Sequence, residues 1–152
     1  MKYHNILHDD MRNGEGLRVV LFVSGCEHHC KGCHNPQTWD FNSGLDFTGK
    51  EIAEIADQLS KDYISGITLS GGECLHPRNL SEITNLCKWI KRAFPTKTIW
   101  CYTGYTYEEV SDLDVMNYID VLVDGKFVEE LASVDYMWAG STNQRVIRLN
   151  EV

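Results

Sequence analysis

Three cysteines within eight residues form the most chemically informative group in the sequence: Cys26, Cys30 and Cys33 are spaced Cys-x3-Cys-x2-Cys. A short loop can turn three such thiolates toward one metal centre. A [4Fe–4S] cluster normally takes four cysteines, so three would leave one iron without a protein ligand. Catalytic metal sites keep an open coordination position, whereas structural sites close it. The spacing therefore favours an enzyme with an incompletely ligated iron–sulfur cluster.

A zinc ion is the alternative occupant of this loop, because a neighbouring histidine (His28, His29 or His34) would complete a tetrahedral Cys3His shell. Against zinc, the sequence has no second Cys-x-x-Cys pair, and a chain of this length can bury a core without metal. We expect His28 and His29 to face solvent or a partner rather than the metal.

A second polar motif, Ser70-Gly71-Gly72-Glu73, follows a short apolar run. Its two glycines let a ligand approach the backbone closely and leave amide and carbonyl groups free to bond it. The acidic side chain of Glu73 adds an acceptor suited to an ammonium group. Taken alone, the motif is equally consistent with a tight strand-to-helix turn. Asp124-Gly125-Lys126 is weaker still, and an ordinary turn is its simpler interpretation.

These motifs lie between segments whose periodicity predicts alternating strands and helices. Apolar runs predict strands at 19–23, 67–69, 98–102, 119–123 and 146–149. Helical spacing predicts one helix after a capping box at Thr48 and Glu51, a second after Pro77, and a short third after a capping box at Thr106 and Glu109.

Strands that alternate with helices imply a parallel sheet with right-handed crossovers. A closed eight-unit barrel needs about 250 residues, whereas this chain has 152. We therefore expect residues 1–152 to form a single α/β domain, an open partial (β/α) barrel with a mostly parallel sheet of about five or six strands. Loops after parallel strands meet at one edge of a sheet. The cysteine loop, the Gly-Gly-Glu turn, Thr103-Gly104 and Asp124-Gly125-Lys126 should therefore converge.

Composition and charge exclude several classes of function. The chain is 43% hydrophobic and 24% charged, with a formal net charge of −8, and this acidity disfavours nucleic acid as a partner. No apolar stretch approaches the roughly 20 residues of a membrane helix, and the N-terminus lacks the pattern of a signal peptide. We therefore expect a cytoplasmic protein with no membrane association. Cys87 and Cys101 are expected to pack in the core as small hydrophobes.

At these motifs the chain resembles a known family. The segment Cys26-Glu-His-His-Cys30-Lys-Gly-Cys33 matches the signature of radical S-adenosylmethionine (SAM) enzymes, and Gly71-Gly72-Glu73 matches their methionine-amine motif. More narrowly, the whole chain resembles the activating proteins of anaerobic (class III) ribonucleoside-triphosphate reductase. The stretches that carry this resemblance run nearly end to end: Asn13-Gly14-x-Gly16, 21–26, Gly32–Asn35 with Thr38-Trp39, 69–72, Trp100–Tyr105, 123–127 and Gly140–Gln144.

The resemblance implies a radical-SAM-type domain and a definite cofactor set. Cys26, Cys30 and Cys33 would hold one [4Fe–4S] cluster, and the amino and carboxylate groups of SAM would chelate the fourth iron. One electron then cleaves SAM into methionine and a 5′-deoxyadenosyl radical. That radical abstracts hydrogen from a backbone glycine of the partner protein, which stores a glycyl radical.

The same resemblance implies which other residues contact SAM. Contacts are expected beside the cluster, at the methionine end of SAM and, by analogy with related activases, elsewhere on the cofactor. The residues expected to make them are Gly32, Cys33, His34, Gly71, Gly72, Glu73, Thr103, Asp124 and Lys126. The chain departs from the family pattern at His34, where many relatives carry tyrosine, and at Cys74, where proline commonly stands. We do not expect Cys74 to be a fourth ligand, because it would close the open iron.

The implied partners are the large glycyl-radical subunit of anaerobic ribonucleotide reductase and an electron donor such as reduced flavodoxin or ferredoxin. A homodimer within a heterotetramer is compatible with the resemblance. The alternatives are an activase of another glycyl-radical enzyme (pyruvate formate-lyase type), a small-molecule radical enzyme, a non-catalytic zinc-binding module and a ferredoxin-like electron carrier. The short chain favours a protein substrate, because little of it remains to enclose a small one.

Overall fold

A single mixed β-sheet organises the computed structural model, which describes residues 1–150. Its seven strands are β1 (Lys2–Asp10), β2 (Leu17–Val23), β3 (Leu45–Asp46), β4 (Ile64–Gly71), β5 (Thr98–Tyr102), β6 (Val121–Asp124) and β7 (Arg145–Arg148). They lie in the order β3-β1-β2-β4-β5-β6-β7. The central strands β2, β4, β5 and β6 are parallel. The outer pairings of β1 with β2 and β3, and of β6 with β7, are antiparallel.

Three α-helices connect these strands: α1 (Gly49–Leu59), α2 (Pro77–Ala93) and the single turn α3 (Tyr107–Val110). The start of α1 is fixed by the predicted capping box, since the Thr48 amide and hydroxyl donate to Glu51 Oε1 at 2.8 and 2.7 Å. Short 3-10 turns cover Pro36–Thr38, Asp114–Asn117 and Glu129–Leu131. None of the helices in residues 1–150 combines the length and apolar character needed to cross a membrane.

The two long helices pack on the same face of the sheet. Successive strand residues point to opposite faces, and Val19, Leu21, Ile67 and Leu69 join the apolar residues of α1 and α2 in one buried cluster. A second, smaller cluster on the opposite face is built around Trp100 and contains no residue of α1 or α2. The sheet therefore has one face covered by the long helices and one face that they leave free.

The predicted α/β class, the single open sheet and the three helices are confirmed. The sheet has more strands than the five or six predicted, because β1 and β3 were not predicted. It is also less parallel than predicted, because three of its pairings are antiparallel. The strand β1 is largely polar, and its register with β2 is irregular after Tyr3 and after Leu7, so it shows no clean alternation. Residues 151–152 of the predicted domain lie outside the described residues.

Candidate metal and cofactor site

A cavity of about 990 Å³ lies at the carboxyl ends of the parallel strands, on the face free of α1 and α2. Segments that follow all four parallel strands line it, as the sequence predicted. Its lining includes Cys26, Cys30 and Cys33 after β2, Gly72 and Glu73 after β4, Thr103 and Gly104 after β5, and Gly125 after β6. The described fold thus brings the chemistry-bearing segments to one place.

The cysteine loop is anchored at its first cysteine. The amide of Gly25 donates to Thr38 O at 2.6 Å, and that of Cys26 donates to Trp39 O at 3.0 Å. Near the other end, the amide of Cys33 donates to Cys30 O at 3.1 Å, which turns the loop back on itself. Backbone contacts therefore attach the first end of the eight-residue segment to residues 38–39 and close a turn at its second end.

All six cysteines are free thiols, but only the three of the loop are partly exposed, since the other three are buried. Burial raises the pKa of Cys26 and of Cys30 above the ordinary thiol value. These groups are therefore protonated at neutral pH in the metal-free chain. They must release protons on binding a metal, because the thiolate is the ligand.

The donor set of this loop suits an iron–sulfur cluster. A zinc ion draws its ligands onto one centre at about 2.3 Å per sulfur, whereas each thiolate of a [4Fe–4S] cluster binds a different iron. Within residues 1–150, no group of three His, Cys, Asp or Glu side chains is arranged to hold a single metal ion. Three free thiols that line one cavity supply the thiolate donors that such a cluster takes from a protein.

The remaining cysteines lie in the core. Cys87 and Cys101 are fully buried, which confirms the prediction made for them. Cys74 is also fully buried, and its thiol donates to Ser70 O at 3.5 Å. It belongs to the apolar cluster under the helices and is absent from the cavity lining.

The carboxylate of Glu73 connects the parts of the site. It is only 1% exposed, and its Oε1 accepts from His28 Nε2 and from the amide of Gly104, both at 2.7 Å. Its Oε2 accepts from Thr103 Oγ1 at 2.8 Å and from the amide of Leu75 at 2.9 Å. Four donors match the acceptor capacity of a carboxylate, so this group is already occupied by the chain itself. This side chain, which was predicted as an acceptor for an ammonium group, joins three loops.

The two histidines of the cysteine loop differ in their surroundings. His28 has an 11% exposed side chain, and its ring lies edge-on to that of Tyr105 at 4.7 Å between centroids. His28 was expected to face solvent or a partner rather than the metal; it does not face solvent, because the Glu73 carboxylate draws its ring inward. His29 is exposed, as expected, and its ring stacks on that of Trp39.

The glycines of the Gly-Gly-Glu turn allow it to contact the cysteine loop. The amide of Gly72 donates to Val23 O at 2.8 Å, and that of Glu73 donates to Gly25 O at 2.7 Å. A Cβ atom on Gly72 would lie 2.5 Å from Gly25 O, and Gly71 has a φ of +98°. Part of the backbone freedom that was expected to serve a ligand is therefore used by the chain's own packing.

The predicted site residues divide into two groups. Those that line the cavity are Cys26, Cys30, Cys33, His34, Gly71, Gly72, Glu73 and Thr103. The structure does not bring Gly32, Asp124 or Lys126 to its lining. Gly32 and Lys126 are exposed. The buried Asp124 carboxylate accepts from the Tyr107 amide at 2.8 Å and from Arg145, because its side chain points away from the cavity into the β6–β7 edge.

Sequence reasoning missed several residues of the cavity wall, notably Arg12, Asn13, Trp39, Tyr102 and the segment 132–140. The Gly140–Gln144 loop was assigned no role, yet Gln144 folds it over the cavity. Its Oε1 accepts from the Gly140 amide at 2.9 Å, and its Nε2 donates to Gly125 O at 2.9 Å. Asn13, Trp39, Tyr102 and the Gly140–Gln144 loop lie in stretches that carry the family resemblance, and this is the signal that could have found them. Arg12 and residues 132–139 lie outside those stretches and gave no such signal.

Comparison with known proteins gives matches along almost the whole chain. A family model described as a 4Fe-4S single cluster domain matches residues 12–147. The chain is 47% identical over 146 residues to the anaerobic ribonucleoside-triphosphate reductase-activating protein of Enterobacteria phage T4, across 96% of this chain and 93% of the relative. It is similar to proteins of the same name from Vibrio cholerae serotype O1 (46% over 154 residues, 97% and 98% covered) and Escherichia coli strain K12 (44% over 153 residues, 98% and 99% covered).

Proposed function

The chain belongs to the family of anaerobic ribonucleoside-triphosphate reductase-activating proteins, and from this premise we propose that it is a radical SAM activase of such a reductase. Its protein substrate is then the large glycyl-radical subunit. The observation that carries the proposal is the single cavity whose wall contains both the Cys-x3-Cys-x2-Cys loop and the Gly-Gly-Glu turn. Iron–sulfur ligands and a SAM-binding turn must adjoin one another for this chemistry.

Cys26, Cys30 and Cys33 are the proposed cluster ligands, and the iron that they leave open is the proposed position of SAM. When bound, the [4Fe–4S] cluster supplies the electron that cleaves the sulfonium C–S bond of SAM, so that the resulting 5′-deoxyadenosyl radical can take hydrogen from a glycine. The partly exposed thiols place this centre near the surface, within reach of a carrier such as reduced flavodoxin or ferredoxin.

The remaining residues of the site are proposed to bind and orient SAM. The backbone of Gly71 and Gly72 is the proposed contact for the methionine end of SAM, with His34 and Thr103 elsewhere in the same wall. Glu73 fixes the cysteine loop to this wall through His28 and Gly104. Contacts of SAM with Gly32, Cys33, Glu73, Asp124 and Lys126 stay predictions, as does a homodimer within a heterotetramer.

The free face of the sheet favours the proposal of a protein substrate. The long helices leave one face free, and the cavity opens on that side. We propose that this face is the concave side of a partial (β/α) barrel of the radical-SAM type. A glycine-bearing loop of the large subunit can then enter it from outside.

An anaerobic assay tests the proposal. The chain is reconstituted with iron and sulfide, reduced and given SAM, and 5′-deoxyadenosine is measured together with the glycyl-radical signal of the reductase. We expect both products from the unsubstituted chain and from Cys87→Ala, whose thiol is buried in the core. Cys30→Ala should give neither.

Other outcomes would identify the alternatives. A colourless, zinc-loaded chain that forms no 5′-deoxyadenosine would contradict the proposal and favour a zinc-binding module. SAM cleavage with a radical on a pyruvate formate-lyase-type enzyme, and none on the reductase, would assign the same chemistry to another partner.

A further inference from the structure

The indole nitrogen of Trp39 is a buried donor with no acceptor. Among residues 1–150, only this Nε1 and Gln58 Oε1 are buried side-chain polar atoms that lack a hydrogen-bond partner. Gln58 lies on α1, whereas Trp39 lines the cavity with the three loop cysteines. Buried donors are nearly always paired in folded proteins, because leaving one unpaired costs its full desolvation. The orphaned donor therefore points to an acceptor that the protein chain does not provide.

The backbone fixes Trp39 beside the first cysteine. Its carbonyl accepts from the Cys26 amide at 3.0 Å, and the carbonyl of the preceding Thr38 accepts from the Gly25 amide at 2.6 Å. The indole is therefore carried by a segment paired directly to the start of the cysteine loop. Its position relative to the thiols is set by these bonds.

A histidine of the cysteine loop also packs against the face of the Trp39 indole. His29 stacks on Trp39 with 4.4 Å between ring centroids and 15° between planes. His29 has a φ of +48°, a left-handed conformation that is uncommon for a residue other than glycine. Because His29 lies between Cys26 and Cys30, the segment that carries the proposed ligands also constrains the plane of the Trp39 ring.

We propose that Trp39 Nε1–H donates a hydrogen bond to a sulfur of the [4Fe–4S] cluster, either an inorganic sulfide or a cysteine Sγ, and thereby raises the reduction potential of the cluster. The inference rests on the proposed function, since it takes the cluster as bound. Reduction adds negative charge to the cluster sulfurs, so a donor stabilises the reduced form more than the oxidised one. Trp39 is then a residue that tunes the electron transfer rather than a ligand.

The first test is the potential of the reconstituted cluster. Trp39→Phe removes the N–H and keeps an aromatic face for His29, and an EPR-monitored redox titration without SAM should give a more negative midpoint potential than the unsubstituted chain. The matched control is Trp89→Phe, because Trp89 packs edge-on against Phe94 on α2, outside the cavity. A Trp39→Phe potential equal to that of the control overturns the proposal.

A second test uses the unsubstituted sequence and does not depend on a variant that folds. Tryptophan labelled with ¹⁵N at the indole nitrogen should give a ¹⁵N coupling to the reduced cluster by electron–nuclear double resonance, together with a deuterium-exchangeable proton. The coupling should persist in Trp138→Phe, whose indole also lines the cavity. A reduced cluster that cleaves SAM but shows no such coupling overturns the hydrogen bond alone. A chain that binds no cluster overturns the proposed function as well.

Discussion

The imidazole of His28 donates a 2.7 Å hydrogen bond to the buried carboxylate of Glu73, a residue 45 positions further along the chain. This contact joins the cysteine loop to the Gly-Gly-Glu turn. Because the same carboxylate also accepts from Thr103 Oγ1 and the Gly104 amide, it connects the ends of three parallel strands. One buried acidic side chain therefore helps to hold the cysteine loop in position.

His28→Ala should loosen this connection. Loss of a hydrogen bond to a charged group costs about 1.5–3 kcal/mol, and we expect the free energy of unfolding to fall by that amount, with faster cluster loss after reconstitution. The matched control is His8→Ala, since His8 makes a bond of the same 2.7 Å length to the exposed Glu54. Exposed pairs contribute about 0–1 kcal/mol. Equal losses in the two variants by urea unfolding would argue against the connection.

Gly72→Ala should disrupt the contact between the turn and the cysteine loop. The new Cβ would lie 2.5 Å from Gly25 O, so the backbones must separate, at a cost of about 1–3 kcal/mol typical of overpacking. Gly49→Ala is the control, because a Cβ there meets nothing within 4 Å at the start of α1. That variant should gain about 0.4–1 kcal/mol. Unfolding free energies and iron content after reconstitution measure both effects, and full iron loading of Gly72→Ala would contradict the close contact.

Arg145→Ala should destabilise the edge of the sheet more than Arg148→Ala. The two arginines are similarly exposed, at 49% and 50%, but Arg145 pairs with Asp124, which is 1% exposed, whereas Arg148 pairs with the exposed Glu15. Removing the Arg145 side chain takes the charged partner from the buried Asp124 carboxylate, which keeps its bond from the Tyr107 amide. This loss should cost more than that of the surface pair, which is about 0–1 kcal/mol. Chemical denaturation of the two variants checks the order, and the reverse order would refute it.

The stability of the chain should fall in acid partly through Glu51. Hydrogen bonds from the Thr48 side chain and backbone, and then from Tyr3, lower the pKa of Glu51 from 4.5 to about 2. A carboxyl group whose pKa is lower in the folded state stabilises that state when ionised. The contribution of Glu51 is therefore complete above pH 4.5 and is lost as the pH falls toward 2.

Denaturation across this pH window, compared between the unsubstituted chain and Glu51→Gln, measures the contribution of Glu51. The variant should be less stable above pH 4.5 and should approach the unsubstituted chain near pH 2. A stability difference that stays constant across the window would show that the Glu51 carboxylate does not titrate in this way.

Local patterns predicted the elements whose determinants lie close together in sequence. The start of α1 could be predicted because Thr48 and Glu51 are one helical turn apart and bond each other directly. The strand β1 was missed because it pairs with β2 in an irregular antiparallel register, in which Tyr3 pairs with Val23 and Asn5 with Phe22. Such a strand shows neither a continuous apolar run nor strict alternation.

The site was predictable at the level of strands and not at the level of side chains. Because parallel strands end at one edge, the cysteine loop and the Gly-Gly-Glu turn could be placed together from sequence. The partners of individual groups depend on loop conformation: Glu73 takes His28 as a donor, and Trp39 lies against Cys26, through contacts that span up to 45 positions. The inward position of His28 follows from such a contact.

The pairing of Val23 and Gly25 with the Gly-Gly-Glu turn also bears on whether folding or cluster binding comes first. None of the three loop cysteines belongs to the buried core, and the cavity exists only after strands far apart in sequence have paired. In small zinc modules, by contrast, the binding energy of the metal is the folding energy. We therefore expect this chain to fold before it binds its cluster, so that a chain that has lost the cluster would stay folded and could be reconstituted without refolding.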